Sequence, residues 1–506
     1  PNRQTKLSER RETSVEDILE YMDNHFDPET DPLVKLLYLE TVSNPKKLLK
    51  HASSLIKKGA KIAAIKAGST EEGSRAATSH TGAIASSDMT VRALFHKAGI
   101  VYCSSREQLL SVASIFNYRK LKGKKIAIIT HAGGSAVMLA DQLSKGGLKV
   151  PEISGPDAEK LKSFLYPGSS IANPIDFLAT GTAEQLGIII DYCEHKFDNI
   201  DAMVVVFGSA GLFNVENVYN VLSVKLEICE KPIFPVLPSV INAEDEIKSF
   251  LQKGHIHFPD EVVLGKALAK VYNTPEPQSQ KISLPKVDKE KIRSVIDATS
   301  EGYLSPEQTV ALLDAAGIPR VHEIVESSKE KLLKAVANID FPVVMKVVGP
   351  LHKSDAQGVI LNIANTEEVA ETFDQLMKID DATAVMVQPQ LTGLELFVGV
   401  MKEPGFNHTI LCGLGGIFVE VLNDVSARLS PISKSEAEKM VRSLRGYKLI
   451  QGTRGKKGIN EAIFVDIIQR LSALVEAAPE IIEMDINPLM GTQKAITAVD
   501  ARIRIG

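Results

Sequence analysis

Lys124-Lys-Ile-Ala-Ile-Ile-Thr-His-Ala-Gly-Gly-Ser135 joins an apolar run, a double glycine and the start of an amphipathic stretch. The run is too uniformly apolar for a strand with one wet face, so it predicts a strand buried on both faces, as parallel sheets require. Gly133 and Gly134 break the run, and the spacing beyond them predicts a helix. The theme returns at Ala202–Phe207 and Pro232–Leu237 and closes near Asn273. Strand, turn and helix repeated in this way predict a complete doubly wound, flavodoxin-like or Rossmann-like α/β domain over residues 119–273.

Outward from this block, residues 1–118 carry expected strands at Val34–Leu39, Lys61–Lys66 and Ile100–Cys103, an incomplete unit of the same α/β kind. Residues 274–287, opening Thr274-Pro-Glu-Pro-Gln-Ser-Gln-Lys281, can bury little and are expected to form an exposed linker. Residues 288–506 mix helices with alternating strands, as in an α+β domain. A chain of 506 residues has room for several cores. With 58 Lys and Arg against 63 Asp and Glu and no long basic block, nothing points to nucleic acid or an anionic membrane surface. The four cysteines lie far apart without metal spacing, which fits a reducing, cytoplasmic setting. No apolar run approaches the ~18 residues needed to span a bilayer. The start at Pro1 rather than Met suggests that the natural N-terminus lies elsewhere.

Several segments carry chemistry. His80 lies in Arg75-Ala-Ala-Thr-Ser-His-Thr-Gly-Ala-Ile-Ala85, among small residues and hydroxyls. A helix expected near Asp88 could offer peptide N–H groups to a phosphate on its ring, which makes His80 a candidate phosphoryl carrier. The turn at Gly133, Gly134 and Ser135 serves either to cradle an anion or only to turn the chain, since the full dinucleotide fingerprint is absent. His131 in that turn reads as structural, and Asn173, in Asn173-Pro-Ile-Asp176, adds a polar cluster beside it. In Phe341-Pro-Val-Val-Met-Lys-Val-Val348, Lys346 stands among apolar residues, where an ammonium is costly unless an anion such as a nucleotide phosphate meets it. Leu351-His-Lys-Ser-Asp355 supplies a second histidine, His352. Gly413, Gly415 and Gly416, in the segment ending at Glu420, permit close backbone approach to a ligand. Asn487 and Asp500 would suit Mg²⁺, which takes few protein oxygens and completes its shell with phosphate and water.

Taken in order, Ser79-His-Thr-Gly82, Leu351-His-Lys-Ser-Asp355, Gly413-Leu-Gly-Gly-Ile-Phe-Val-Glu420 and Asp485-Ile-Asn-Pro-Leu489 resemble the nucleoside-diphosphate-forming acyl-CoA synthetases, relatives of succinyl-CoA synthetase and of the ADP-forming acetyl-CoA synthetases. The resemblance covers nearly the whole chain and makes residues 288–506 an ATP-grasp domain. It implies that His80 is the phosphohistidine, that Glu40 orients it and that His352 shuttles the phosphoryl group. It also implies that Lys346 holds the nucleotide phosphates and that Asn487 and Asp500 hold Mg²⁺. From the residues themselves, Gly413, Gly415, Gly416 and Glu420 are expected beside the nucleotide, and Gly133, Gly134, Ser135 and Asn173 on the phosphate and CoA side. Two departures stand out. Glu403-Pro-Gly-Phe-Asn-His408 replaces the family's Asp-Pro-x-Phe-Gly-Pro, and the family's N-terminal CoA-binding domain is not found.

The implied reaction joins a short-chain carboxylate to CoA at the expense of ATP, through an acyl phosphate and the phosphohistidine, and runs reversibly to ATP. The partners implied are the acid, CoA and ATP or ADP. The chain is expected to work as a homo-oligomer or with a CoA-binding domain supplied upstream or by another subunit. Two other readings remain: a non-catalytic, regulatory nucleotide-binding subunit, and a scaffold related to protein acyltransferases.

Overall fold

The computed structural model describes residues 13–70, 72–73, 75, 87–209, 215–277, 282–349, 358–416, 419, 422, 424–453 and 455–506. The chain divides into two compact units, Pro1–Ser279 and Gln280–Gly506. In the first unit, β1 (Val34–Leu39), β2 (Lys61–Lys66) and β3 (Val101–Cys103) form a parallel sheet in that order. A second parallel sheet has the order β5-β4-β6-β7, from β4 (Ile126–Thr130), β5 (Ile175–Asp176), β6 (Ala202–Val206) and β7 (Ile233–Val236). Every residue of β4 and β6 is buried, as their unbroken apolar runs require.

Alternation along these strands sends side chains into two cores. Ala127, Ile129, Met203 and Val205 pack against the helices Ala183–His195 and Glu216–Ile228. Ile126, Ile128, Val204 and Val206 face the helices Gly133–Lys145 and Glu261–Asn273. Helices therefore cover both faces, the doubly wound arrangement. The second core also holds Ala63, Ile65, Val101 and Cys103, so the two sheets share apolar packing across residue 118. Each fully buried Leu or Ile in such a core contributes about 1.5–3 kcal/mol.

An exposed linker is expected over 274–287, yet its first residues pack on the unit before it. The Thr274 hydroxyl donates to the Lys270 carbonyl at 2.8 Å, Lys120 pairs with Glu276, and Pro277 is buried against Gly99. A proline has no N–H to satisfy, so it can be buried more cheaply than most loop residues.

The second unit opens its strands with β8 (Gly302–Tyr303), followed by β9 (Ile324–Glu326), β10 (Val343–Val348), β11 (Val359–Ile363) and β12 (Ala384–Pro389). The last four form an antiparallel sheet in the order β11-β10-β12-β9, backed by the helices Lys329–Ala335 and Thr366–Leu376. Next come β13 (Leu394–Met401), β14 (Thr409–Leu414), β15 (Val425–Leu429), the short hairpin β16 (Gly452–Thr453) and β17 (Lys456–Lys457), β18 (Ile481–Gly491), β19 (Ile496–Ala498) and β20 (Ala501–Ile505). A seven-stranded sheet has the order β15-β14-β13-β18-β20-β8, with β19 paired to β18. It packs on the helices Pro306–Ala316, Lys434–Arg442 and Glu461–Ala477. Antiparallel sheets with helices on one face make this an α+β unit.

Candidate active site

β10 alternates so that Val343, Met345 and Val347 enter the core of their sheet, which puts Lys346 on the opposite face. Lys346 is only 7 % exposed, and its ammonium donates to the Val499 carbonyl at 3.3 Å while lying 3.8 Å from Asp500 Oδ2. That pairing lowers the cost of burying the charge. Asn487 reaches the same place through a register shift between β13 and β18. Leu396 faces Leu489 but Val398 faces Ile486, so Asn487 and Pro488 together stand opposite Phe397. A bulge of this kind re-aims a side chain. The Asn487 amide donates to the Asp500 carbonyl at 3.2 Å and the Val499 amide to the Pro488 carbonyl at 3.0 Å, which fixes the turn after β19 against the bulge. Lys346, Asn487 and Asp500, far apart in sequence, are thus brought together.

Beside them is a cavity of about 520 Å³, lined by Val348, Gly349, Thr383, Met386, Val499 and Asp500 among others. Asp485 lies two residues before Asn487 on β18, in register with Arg502 of β20, and its Oδ1 is buried with no hydrogen-bond partner. Burial pushes its carboxyl up to about 6, opposed by Arg502 and reinforced by Asp500 and Glu483. Neither Asp485 nor Arg502 was assigned a role from sequence. The period-2 spacing of Asp485 and Asn487 was the available signal. Among the described residues no group of three or more His, Cys, Asp or Glu is placed to hold a metal. The oxygens of Asn487 and Asp500, with the orphaned oxygen of Asp485 nearby, fit a Mg²⁺ that draws the rest of its shell from phosphate and water.

The glycines of the segment after β13 approach protein rather than open space. A Cβ on Gly413 would lie 2.5 Å from the Asp424 carbonyl oxygen, and one on Gly415 2.9 Å from that of Leu396 and 3.2 Å from Asn487 Oδ1. Gly416 has φ +58°, and a Cβ there would meet Glu395 Oε2 at 2.2 Å. Of the three, Gly415, just past β14, is the one that lets the chain pass close to the Asn487 side chain on the bulge. In the departing segment 403–408, His408 is buried and its Nε2 donates to the Ile481 carbonyl at 2.7 Å, so it ties two strands. Burial pushes its pKa down.

In the first unit, the helix Gly133–Lys145 begins directly after the turn and has no side-chain cap. Asp176, at the end of β5, approaches that helix start, its Oδ2 3.2 Å from the Cβ position of Gly133. A carboxylate at a helix N-terminus is favourable, so an incoming anion would meet a negative neighbour. Gly134 faces open space. Asn173 does not offer its side chain to a ligand: Oδ1 accepts from the Ile128 amide at 2.9 Å, and Nδ2 donates to the carbonyls of Ile126 at 3.0 Å and Pro151 at 2.8 Å. It substitutes for a strand neighbour along β4. His131 packs on Phe207, with ring centroids 4.3 Å apart, and burial lowers its pKa.

Glu40 follows β1, with the Tyr38 hydroxyl 3.5 Å from its Oε1. At the end of β2, buried Lys66 donates to the Gly68 carbonyl at 2.7 Å. His80, Gly82, His352 and Glu420 lie outside the described residues.

Residues 295–505 match the model of the ATP-grasp domain, and residues 5–116 that of the succinyl-CoA ligase like flavodoxin domain. Over 507 residues the chain is 30% identical to acetate–CoA ligase (ADP-forming) I of Archaeoglobus fulgidus, with 97% of this chain and 72% of that protein aligned. It is 29% identical over 521 residues to 4-hydroxybutyrate–CoA ligase (ADP-forming) of Nitrosopumilus maritimus, covering 99% of this chain and 73% of that one. The beta subunit of acetate–CoA ligase (ADP-forming) I of Pyrococcus furiosus aligns at 39% identity with 42% of this chain and 97% of its own length. With a flavodoxin-like unit in front of an ATP-grasp unit and this alignment running nearly end to end, the chain belongs to the ADP-forming acyl-CoA ligases, which form carbon–sulfur bonds.

Proposed function

We propose that this enzyme makes a short-chain acyl-CoA from a carboxylate, CoA and ATP through a phosphohistidine at His80, and runs in reverse to ATP. The observation that carries the reading is the convergence of Lys346, Asn487 and Asp500 beside one cavity. Lys346 would hold nucleotide phosphates there, and Asn487 and Asp500 would hold Mg²⁺, which would neutralise phosphate charge when bound. A ring nitrogen of His80 attacks the γ-phosphorus as the P–O bond to ADP breaks, and ADP keeps the electron pair. The phosphoryl group then passes to the carboxylate to give an acyl phosphate. CoA thiolate attacks the acyl carbon, and phosphate leaves.

A histidine suits this relay because its N–P bond transfers more readily than a hydroxyl ester, and Glu40 accepting from the other ring nitrogen would fix the tautomer. His352 would assist transfer at the nucleotide. On the CoA side, the amides of Gly133, Gly134 and Ser135 would meet phosphate, with Asn173 supporting the strand beneath them. Domain limits of 1–118, 119–273 and 288–506, joined through 274–287, suit this division of labour.

The enzyme would act as a homo-oligomer or together with a CoA-binding domain. Support comes from Leu36 (42 % exposed) and Tyr38 (60 % exposed), which leave the rim of the first unit's core open along the edge strand β1. A cytoplasmic setting is supported by four free, buried cysteines. No helix among the described residues is long and apolar enough to cross a membrane. The deciding experiment measures acid- and CoA-dependent ADP release over a panel including acetate, hydroxybutyrate and succinate. Release that ignores both acid and CoA would refute the proposed function.

A further inference from the structure

We propose that Arg502 holds the phosphoryl group in transit between nucleotide and histidine, a role separate from that of Lys346 on the nucleotide. Along β20, Ile503 and Ile505 point into the core, so Arg502 projects from the other face, exposed, into the cavity wall beside Val499 and Asp500. Among the described residues, the cations near that cavity are engaged, with one exception. Arg320 is gripped by Asp314 through two bonds of 2.9 and 3.1 Å. Lys346 is tied to Val499 and Asp500. Arg504 lies over the Tyr303 ring, 6.0 Å from its centroid. Arg502 stands in register with Asp485, and among the described residues its guanidinium makes no hydrogen bond or ion pair.

A planar fork of donors left open beside a buried lysine and two carboxylates suits a group with several anionic oxygens. Transfer spreads negative charge over the three equatorial oxygens of the phosphoryl group while the N–P bond forms and the P–O bond to ADP breaks, with ADP retaining the electron pair. A guanidinium at that point stabilises the transfer more than the bound nucleotide. Arg502 would therefore matter for rate and little for ADP affinity.

The inference rests on the phosphohistidine reading, and the test separates the two. The full chain and its Arg502→Gln and Arg502→Lys variants are given Mg²⁺ and γ-labelled ATP, and formation of acid-labile phosphoprotein is timed. MgADP binding is measured by calorimetry. Arg502→Gln should slow labelling about 100-fold and leave MgADP affinity within about twofold, with Arg502→Lys in between. The side chain is exposed, so both variants should melt as the parent does. Labelling of Arg502→Gln at the parental rate would overturn the role of Arg502 alone, as would an equal loss of MgADP binding. A parent chain that takes no label would overturn both readings.

Discussion

Lys346 Nζ, on β10, lies 3.8 Å from Asp500 Oδ2 in the turn between β19 and β20, with the Val499 carbonyl as its hydrogen-bond acceptor at 3.3 Å. An ammonium held this deeply needs compensation, which a nucleotide phosphate would complete. Lys346→Met should raise the KM for ATP at least tenfold, the loss of about 1.4 kcal/mol or more. It should not lower the melting temperature by more than a few degrees, because an apolar side chain fits that wall. Lys346→Arg should rescue poorly, since the fork needs more room than one ammonium. A KM unchanged in Lys346→Met would remove the residue from the nucleotide site.

Metal dependence tests the pairing of Asn487 and Asp500. The bulge on β18 and the 3.2 Å bond from the Asn487 amide to the Asp500 carbonyl hold the two residues together by backbone. Asp500→Asn should therefore keep the local fold while weakening MgADP binding about tenfold and leaving metal-free ADP binding nearly unchanged. Calorimetric titrations with and without chelator read the difference. Equal weakening in both titrations would assign Asp500 to the nucleotide and not to the metal.

The phosphohistidine is tested by chemistry. His80→Ala should abolish acid-labile, alkali-stable labelling from γ-labelled ATP, and Glu40→Gln should slow it about tenfold by loosening the tautomer. His352→Ala should slow phosphoryl exchange between ATP and ADP with nucleotide binding nearly intact. Stable label on the His80→Ala variant would move the carrier elsewhere.

Much of the fold was legible because buried parallel strands cannot hide their composition: Ile126–Thr130 and Ala202–Val206 are unbroken apolar runs, and both are strands with every residue buried. Lys346 was legible for the opposite reason, as a cation set between apolar residues within such a run. Arg502 was not, because it faces Asp485 only through the β18–β20 register, which no local spacing encodes, and Asp485 itself was marked only by its period-2 spacing from Asn487. The glycines 413, 415 and 416 were legible as points of close approach, but sequence could not say that strands rather than a ligand make the approach. Pro277 shows the same limit, since composition marks a linker without showing which neighbour it settles on.

Acid should weaken the first unit through the pair of helices Val15–His25 and Pro45–Lys57. Asp23 is buried between them, its carboxylate 2.8 Å from His51 Nδ1 and 2.9 Å from Lys58 Nζ. Burial pushes its pKa up, but Ser54, Lys58 and His51 together outweigh this and hold it below the ordinary value of 3.8. A carboxyl depressed in the folded state contributes stability that is present above its unfolded pKa and lost as pH falls through the folded one. Asp23→Asn should cost about 2 kcal/mol at pH 7 and progressively less below about pH 4. Melting curves of the parent and variant between pH 3 and pH 7 check this, and a gap that does not narrow in acid would assign the cost to packing.

Asn173 supplies the sharpest contrast between a residue that holds a site and one that works in it. Its backbone sits at φ +67°, where asparagine is tolerated far better than most side chains. From there its amide bonds the Ile128 N–H and the carbonyls of Ile126 and Pro151, finishing the edge of β4 just before the strand delivers Gly133 and Gly134 to the helix start. Asn173→Ala removes all three bonds, leaves partly buried backbone groups unsatisfied and keeps the strained φ, so it should cost about 3 kcal/mol. Asn173→Asp keeps the acceptor for Ile128 but sets a carboxylate against two carbonyls, and should be no better. If the residue acts only through β4, each variant should lower the melting temperature by several degrees, while at 25 °C the surviving folded fraction labels His80 and binds MgADP as the parent does. The KM for CoA should rise no more than about threefold, because the amides of Gly133 and Gly134 remain. A stable, well-folded Asn173→Ala chain with a CoA KM raised tenfold or more would instead place Asn173 in contact with CoA, and the three observed bonds would have to be exchanged when CoA binds.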